Sequence, residues 1–512
     1  MNRPAARYFL LACTSLWSTH MRAQSADARL EEIKARTTEN AARAAGVPQQ
    51  LFSTIALSTH SEEARKFLEL ALDKYENVLR EDAVVHAQHA TEKDPQFALG
   101  YAMLSFASRR GIPNSGALAK AKSLLPGAAP DEQLLVRWMT SVQDRDLLPA
   151  ITSMNDLLKR FPRNKHVVYL TAAWLYSQQD YDRSLKMLET VRQLDPDFAP
   201  ALNMLGYGYI ETGDPDPGKA VATLKRYAEL QPGSPNPEDS LGEVLRYAGD
   251  DAGALQHFGA ALQIDPTFYT SHLGIGDTLT LMGEYEDARQ QYDKAIKVSE
   301  TPRDLLHAEY QKALVSFWQG QTSTGREALS GLAQKAAAEK QPYAYFEIGL
   351  GSAMLAPTFV DELHELRVLE VAFQNPMDGM NESDRNVAVA DILREQVRVA
   401  AFHGFSQPVQ EAIKKLEEFA RQSSDLIVKN HYECARGYLL ARHGDFANAA
   451  DELAMDPQSP LAIQELVTVQ EKLGNVPAAA AARKRMKYQR AASVEWYLAS
   501  HNRSATMDAA SK

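Results

Sequence analysis

The chain has few of the residues and patterns that mark the simpler classes of protein. Its 512 residues include only two cysteines, Cys13 and Cys434, so a framework of several disulfides is excluded and so is a zinc site built from paired cysteines. A formal net charge of −11 argues against a nucleic-acid binder, which needs basic surface to meet phosphates. No apolar run approaches the roughly 20 residues that a helix needs to cross a bilayer, so we predict no transmembrane span.

Motifs of enzyme chemistry are missing as well. The sequence has no Walker A loop, no G-x-S-x-G elbow and no HExxH pair, and the glycine-rich stretches Gly274–Leu279 and Gly349–Met354 lie inside predicted helices rather than after a strand. His86 and His89 are three residues apart on one predicted helix, but no third ligand has a matching spacing. We expect both histidines to be exposed to solvent. We therefore predict no cofactor, no metal site and no enzymatic activity.

What the sequence does contain is a repeat. Its period is carried by four prolines and three alanines, which are Pro162, Pro196, Pro232, Pro266, Ala220, Ala254 and Ala288. The gaps between the prolines are 34, 36 and 34 residues, and both alanine gaps are 34. A fixed period in this range predicts a solenoid of stacked helix pairs, in which each repeat contacts its neighbours and no central core is needed.

One repeat, Leu241–Pro266, shows how the pattern makes two helices. Gly249 ends the first helix, because the left-handed conformation at a helix C-terminus favours glycine. Phe258 follows Ala254 by four residues and shares the buried stripe of the second helix, which the final proline ends. Gly242 is small where we expect the two helices to cross closely.

These residues resemble the tetratricopeptide repeat, a helix–turn–helix unit of 34 residues. The resemblance implies an all-α, right-handed α-solenoid of about ten helix pairs, with a repeat array over 60–300 and degenerate repeats over 301–500. The alternative for the C-terminal half is a separate helical domain. Over about 60–300, three stretches also resemble tetratricopeptide proteins exported by environmental bacteria, notably acidobacterial ones; they are Ser61–Leu72, Asp195–Tyr207 and Ser234–Leu245. That group offers no established activity to carry over.

Residues 1–24 have the pattern of a secretory signal peptide. Two arginines precede the apolar run Tyr8–Trp17, and small residues follow it. We expect cleavage near Ala23 or Gln24, which gives an exported protein that is periplasmic or secreted.

Two other interpretations of the N-terminus stay open. Cys13 follows a short lipobox-like stretch, so the chain is alternatively a lipoprotein with an envelope association, or a cytoplasmic protein if translation starts at Met21. Residues 25–59 are a helical or disordered lead. If the signal peptide is removed, Cys434 is the only cysteine left, and we expect it to be a small core residue.

The C-terminal end carries a local basic stretch, Arg483–Arg490, which we call the basic segment. It contacts an anionic surface or partner, or it is the solvated face of the last helix, where a negative helix C-terminus favours cations. Residues 501–512 are predicted to be a flexible tail.

The first helix of each pair is expected to line a concave groove, the usual working surface of repeat proteins. Counting positions from the repeated glycines gives eleven candidate groove residues, which are Tyr169, Tyr176, Asn203, Tyr207, Glu211, Asp239, Glu243, Arg246, Tyr247, Asp277 and Tyr310. The set is rich in tyrosine, which offers a large contact area with a polar tip. Its centre is acidic, so we expect a protein or peptide partner that is basic or rich in amides.

Other roles for this set stay open. Some tetratricopeptide repeats hold a C-terminal carboxylate with a lysine, asparagine and arginine clamp; Asn203 has a suitable position, but the basic residues are missing. The groove residues are otherwise simply solvated, or they are covered by the chain's own N-terminal stretch. Our first hypothesis is a non-enzymatic scaffold that binds an extended segment in the groove. The second is a cell-envelope structural or assembly factor that uses its convex face or edges, and the third is an unrecognised enzyme.

Overall fold

A computed structural model describes residues 54–108, 115–423 and 425–501 of the chain. The predicted signal peptide, most of the predicted lead and the tail after residue 501 lie outside the described residues. Every regular element in the described part is a helix, which confirms the all-α prediction.

The helices follow one another with short connections. In chain order they are α1 Glu62–Glu76, α2 Arg80–Lys93, α3 Ala98–Ala107, α4 Ser115–Leu124, a 3₁₀ turn at Leu125–Gly127, α5 Pro130–Asp144, α6 Leu147–Arg160, α7 Lys165–Ser177, α8 Tyr181–Leu194, α9 Ala199–Glu211, α10 Pro217–Leu230, α11 Asn236–Ala248, α12 Asp251–Ile264, α13 Tyr269–Met282, α14 Tyr285–Val298, α15 Pro302–Trp318, α16 Thr322–Ala338, α17 Pro342–Met354, α18 Phe359–Ala372, α19 Glu382–Phe402, α20 Ser406–Gln422, α21 Leu426–Arg442, α22 Phe446–Leu453, α23 Pro460–Lys472, α24 Val476–Lys487 and α25 Val494–Ser500.

The repeat formed by α11 and α12 has the boundaries that its sequence predicts. Gly249 follows α11 with a φ of 83°, in the left-handed region that favours glycine. Asp250 then caps α12 by accepting a hydrogen bond from the backbone N–H of Gly253 at 2.9 Å. The helix ends at Ile264, and its C-cap Asp265 directly precedes Pro266.

The two helices of this repeat cross closely at Gly242. A Cβ atom placed on Gly242 would lie 2.8 Å from the ring of Phe258, which is shorter than a van der Waals contact. Ala254, Phe258 and Ala261 are buried on the facing stripe of α12. The predicted role of the repeated glycine is therefore confirmed.

Each helix packs mainly on its neighbours in the chain and, in several places, one first helix also touches the first helix of the following pair. This pattern is that of an all-α solenoid. Helix pairs continue after residue 300 as α15 with α16, α17 with α18, α19 with α20 and α21 with α22. None of the helices in the described part combines the length and the hydropathy that a membrane span requires.

The helices are grouped in two compact units. Within the described residues, the first unit comprises 54–174 and Lys186–Ala201. Its core includes Phe97, Trp138 and Leu157. Glu132 is buried there and accepts hydrogen bonds from the backbone N–H groups of Ser58 at 2.6 Å and of Leu99 at 3.2 Å.

The second unit comprises Leu175–Leu185 and, within the described residues, 202–501. Its largest hydrophobic cluster packs α15 to α21 around side chains such as Tyr310 and Phe373. Cys434 is buried in a smaller cluster of the same unit with Tyr438, as the sequence predicts.

Candidate partner-binding site

Most of the candidate groove residues lie on α9, α11 and α13, the first helices of three consecutive pairs. On α9, Asn203, Tyr207 and Glu211 are four residues apart and therefore share a face of the helix. Asp239 and Glu243 have the same relation on α11. These side chains meet across neighbouring helices of the second unit.

Glu243 is the centre of one group of contacts. Its two carboxylate oxygens accept hydrogen bonds from the hydroxyls of Tyr207 at 2.9 Å and Tyr247 at 2.7 Å. A guanidinium nitrogen of Arg246 lies 3.6 Å from the same carboxylate. One acidic side chain thus links α9 to α11.

Asp277 is the centre of a second group. Arg246 Nη1 donates a hydrogen bond to its Oδ2 at 2.8 Å, and the hydroxyl of Tyr292 donates to its Oδ1 at 2.8 Å. Arg246 therefore joins α11 to α13, and it interacts with both carboxylates.

Three further contacts extend this arrangement. Ser271 donates to Asp239 at 2.6 Å and Ser240 donates to Asn203 at 3.2 Å. At one end, the hydroxyl of Tyr176 donates a short hydrogen bond to Oε2 of Glu211. We call these candidate residues on neighbouring helices the inner row, which comprises Tyr176, Asn203, Tyr207, Glu211, Asp239, Glu243, Arg246, Tyr247 and Asp277.

The inner row is buried. Its members are at most 7% exposed, apart from Glu243, whose side chain is 12% exposed. The repeat pattern predicted a concave wall open to a partner, whereas these polar groups face one another because each reaches the next inner helix. Their proposed role in partner binding stays a prediction.

Burial changes the protonation of the acidic members. It raises the pKa of Glu211 to about 8, against the lowering effect of the hydrogen bond from Tyr176. It raises the pKa of Asp239 to about 7, against the hydrogen bond from Ser271. The pKa values of Glu243 and Asp277 are also raised by burial, with Arg246 opposing the change.

Two candidate residues lie apart from the inner row. In the first unit, Tyr169 donates a hydrogen bond to the backbone carbonyl of Glu76 at 3.3 Å and packs edge-on against Phe198. Tyr310 lies in the core of the second unit, where a Cβ on Gly351 would overlap its hydroxyl. The roles of Tyr169 and Tyr310 in partner binding also stay predictions.

The expectation for His86 is wrong. Its side chain is 1% exposed, and burial lowers its pKa to about 4. The physical reason is visible in the sequence of α2, where Ala83 and Ala90 flank His86 on the buried stripe. No group of three or more His, Cys, Asp or Glu side chains in the described part of the chain is arranged to hold a metal ion.

A second buried polar cluster was not predicted from the sequence. Arg394 is surrounded by carboxylates at 2.7 Å from Glu395, 2.9 Å from Asp391 and 3.3 Å from Glu495, and it also pairs closely with Asp456. We call this the Arg394 cluster. Charged residues three, four and seven positions apart, as in Asp391–Arg398, were the signal, because such spacing puts them on one helix face.

The basic segment forms ion pairs with residues of earlier helix pairs. Arg490 pairs with both carboxylate oxygens of Asp251, with Nη2 at 2.8 Å from Oδ2, and Lys484 Nζ lies 2.5 Å from Asp214 Oδ1. Both contacts are made within the chain. Arg483, Lys484 and Lys487 are exposed, as the interpretation of a solvated helix face expects, and contact with an external partner stays a prediction.

Comparison with known proteins gives one family match. The tetratricopeptide repeat model matches residues 269–302, which are helices α13 and α14. A search of the curated proteins found no match.

Solved structures of helical repeat proteins are similar to the chain at low identity. Yeast Tom70 is 13% identical, with a TM-score of 0.40, over 89% of this chain and 93% of that one. A tetratricopeptide repeat protein from Parabacteroides merdae is 15% identical, with a TM-score of 0.35, over 53% and 93%. The type IV pilus biogenesis factor PilW is 18% identical, with a TM-score of 0.33, over 38% and 88%.

Proposed function

We propose that the protein is a non-enzymatic scaffold that binds an extended segment of a partner protein along the inner row. The segment is basic or rich in amides, because the row holds four carboxyl groups and a single guanidinium group. Repeat proteins of this architecture use the faces of their first helices for such contacts.

The observation that carries this proposal is the state of Glu211. Its Oε2 accepts the hydrogen bond from Tyr176, but its Oε1 is buried and has no hydrogen-bond partner. A buried acceptor without a donor costs free energy. When Glu211 is ionised, a lysine ammonium or an amide N–H group from a partner would supply the missing donor, and a lysine would also favour the ionised form over the neutral one.

Because the inner row is buried, the partner segment enters by a local opening of the repeats. Local opening of one or two repeats is a low-energy event in a solenoid, since each repeat contacts only its neighbours. Binding then replaces hydrogen bonds among the row residues with hydrogen bonds to the partner.

The test is affinity capture from an envelope extract of the protein's own organism, read by mass spectrometry. The bait is the processed protein, compared with a Tyr207→Phe/Glu211→Gln variant that keeps the shape of both side chains. Glu339→Gln is the matched control, because Glu339 is an exposed carboxylate outside the row. We expect some partners to be captured by the wild type and by the control, but not by the double variant.

Partners held equally by all three baits contradict binding in the inner row. They would support the second hypothesis, contact through other surfaces. The specific candidate there is the outer face of α18, on which Val360, Val368 and Val371 are exposed at spacings that share one side of the helix.

We also propose that the protein is exported after cleavage of residues 1–24. The support is the charged start and the short apolar run of that stretch. Mass spectrometry of the N-terminal peptide from fractionated cells tests it. We expect an N-terminus near Ala23 or Gln24 in the envelope or medium. An acylated N-terminal Cys13 would show that the protein is a lipoprotein. A cytoplasmic protein that starts at Met21 would contradict export.

A further inference from the structure

The turns between the two helices of consecutive pairs share an acidic character. Asp182, Asp216 and Asp250 are 34 residues apart and lie where α8, α10 and α12 begin. Each has acidic neighbours in the same turn, including Asp214 and Asp251. Since equivalent positions of stacked repeats lie side by side, these turns form a row at one edge of the second unit, which we call the acidic turns.

The basic segment lies across the acidic turns. Lys484 pairs with Asp214 in the turn before α10, and Arg490 pairs with Asp251, the first residue of α12. Arg490 also donates to the backbone carbonyl of Arg246 at 3.4 Å. Two consecutive turns therefore each receive one cation from the same segment.

The third turn is next to Arg485. Burial lowers the pKa of this guanidinium, and Tyr181, Asp456 and Asp182 oppose that change. The Nε of Arg485 is buried and has no hydrogen-bond partner. Arg485 therefore lies near Asp182 and Asp456, but its Nε–H group donates no hydrogen bond to them.

The segment resembles a bound peptide after α24 ends. The chain is not helical between Tyr488 and Ser493, and Gln489, Ala491 and Ala492 are buried. Beyond this stretch the chain is fixed again, because Glu495 accepts a hydrogen bond from Ser459 at 2.7 Å and joins the Arg394 cluster.

The ion pairs of the basic segment are accessible to solvent and therefore to a competing partner. The Asp214 side chain is 90% exposed, and water screens an ion pair at such a position. Arg490 and Asp251 are each 20% exposed. A partner with better hydrogen bonds at these three turns could replace the segment without unfolding the helices that carry them.

We propose that the acidic turns are a docking surface for an extended segment of a partner protein that carries arginine and lysine, and that the basic segment occupies this surface as an internal competitor. The surface is separate from the inner row, so this proposal and the proposed function can fail independently. The partner's chemistry follows from its present occupant, which has a lysine and an arginine six residues apart.

The first experiment measures binding of a synthetic peptide of residues 482–493 to the full chain by fluorescence anisotropy. The Lys484→Glu/Arg490→Glu variant removes the two ion pairs that hold the internal competitor on the acidic turns and leaves the residues of the turns unchanged. A tethered segment has a high effective concentration, so it masks the site in the wild type. We expect the variant to bind the peptide at least about tenfold more tightly than the wild type does.

The matched control is Lys294→Glu/Lys297→Glu. It makes the same change of charge at two exposed lysines of α14 and leaves the basic segment intact. We expect it to bind the peptide as weakly as the wild type. Tighter binding by this control would show that net charge alone is responsible, and would overturn the proposal.

A second variant tests the surface itself. Asp214→Asn and Asp251→Asn, added separately to the Lys484→Glu/Arg490→Glu background, should each weaken peptide binding at least about fivefold. Asp214 is so exposed that its change leaves the fold intact, which circular dichroism melting checks. Equal affinities of the wild type and the opened variant, or binding unaffected by both asparagines, would refute the docking surface. Dimers of the wild type in sedimentation that the opened variant does not form would instead place a second copy on the acidic turns.

Discussion

A buried carboxyl group can retain its proton at neutral pH, and Glu211 illustrates the condition. Burial raises its pKa to about 8 because one hydrogen bond, from Tyr176, does not replace lost hydration. The side chain of Glu347 is only 12% exposed, but His307 lies 2.8 Å away and the pKa of Glu347 is lowered to about 2. The hydrogen-bonded cation at Glu347 outweighs the effect of burial, whereas nothing of that strength acts on Glu211.

The first prediction concerns the pH dependence of stability. The pKa of Glu211 is higher in the folded state than the ordinary value of 4.5, so its contribution is complete below pH 4.5 and is lost as pH rises towards 8. This loss is at most about 1.4 kcal/mol per pH unit. We expect Glu211→Gln to flatten the fall in melting temperature between pH 5 and 8, measured by calorimetry. An unchanged profile would show that Glu211 ionises freely.

The sequence predicts which residues share the inner row, but not that they are buried. Counting from repeated glycines places Tyr207, Glu243 and Asp277 on neighbouring helices, because the helical period and the repeat period are both regular. Whether these residues are buried depends on hydrogen bonds between tyrosine hydroxyls and carboxylates of different helices. The sequence does not predict those contacts, since the same residues at the same spacing could also line a groove that is open to solvent.

At the scale of the helix, the distance between crossing helices depends on single side chains. α11 and α12 approach closely only because Gly242 has no side chain opposite Phe258. Phe258 also faces Gly274 of α13. One aromatic ring therefore packs against two glycines on consecutive first helices.

The second prediction compares two glycines of this repeat. Gly242→Ala places a Cβ 2.8 Å from the Phe258 ring, and such overpacking costs roughly 1–3 kcal/mol. Gly259 lies in the middle of α12 with nothing within 4 Å of its added Cβ, so Gly259→Ala should stabilise the helix by roughly 0.5–1 kcal/mol. Urea unfolding of both variants measures the difference. Similar effects of the same sign would contradict the close crossing.

The third prediction concerns the attachment of α25. Arg394→Met leaves four buried carboxyl groups without their central cation, so we expect a loss of roughly 3–5 kcal/mol. Burial already raises the pKa of Glu495 to about 7, and Glu495→Gln should therefore change stability far less. Chemical unfolding of the two variants decides between them. A loss below about 1 kcal/mol for Arg394→Met would mean that water reaches the cluster.

The helices were predictable from the sequence and this cluster was not. The period of apolar residues and the glycine and proline positions set each helix before any packing is known. The contact between Arg394 and Glu495 joins residues 101 positions apart. Such a contact depends on how several repeats stack, and the periodicity of the sequence does not predict it.

At the scale of the molecule, the basic segment contacts much earlier repeats of the second unit. The sequence showed five basic residues among eight in the basic segment and acidic turns at the repeat period. It did not show that the two meet, because a solenoid is expected to contact only neighbouring repeats.

The fourth prediction uses hydrogen exchange to detect this contact. Arg490→Glu should increase exchange in Lys484–Ser493 and in the first turn of α12, while the melting temperature changes little, because a partly exposed ion pair contributes roughly 0–1 kcal/mol. Lys294→Glu serves as the control and should leave both regions unchanged. Increased exchange spread evenly over the second unit would indicate global destabilisation instead.

The pairing of Arg490 with Asp251 joins residues 239 positions apart, and this separation has a consequence for folding. Closing a loop of that length costs conformational entropy before any favourable contact is made. The helix pairs between these residues need only short loops and form quickly. We therefore expect the repeats to form first and the long loop to close last. During synthesis, the acidic turns leave the ribosome long before the basic segment is made. Through that interval the newly made chain meets its surroundings with these turns uncovered.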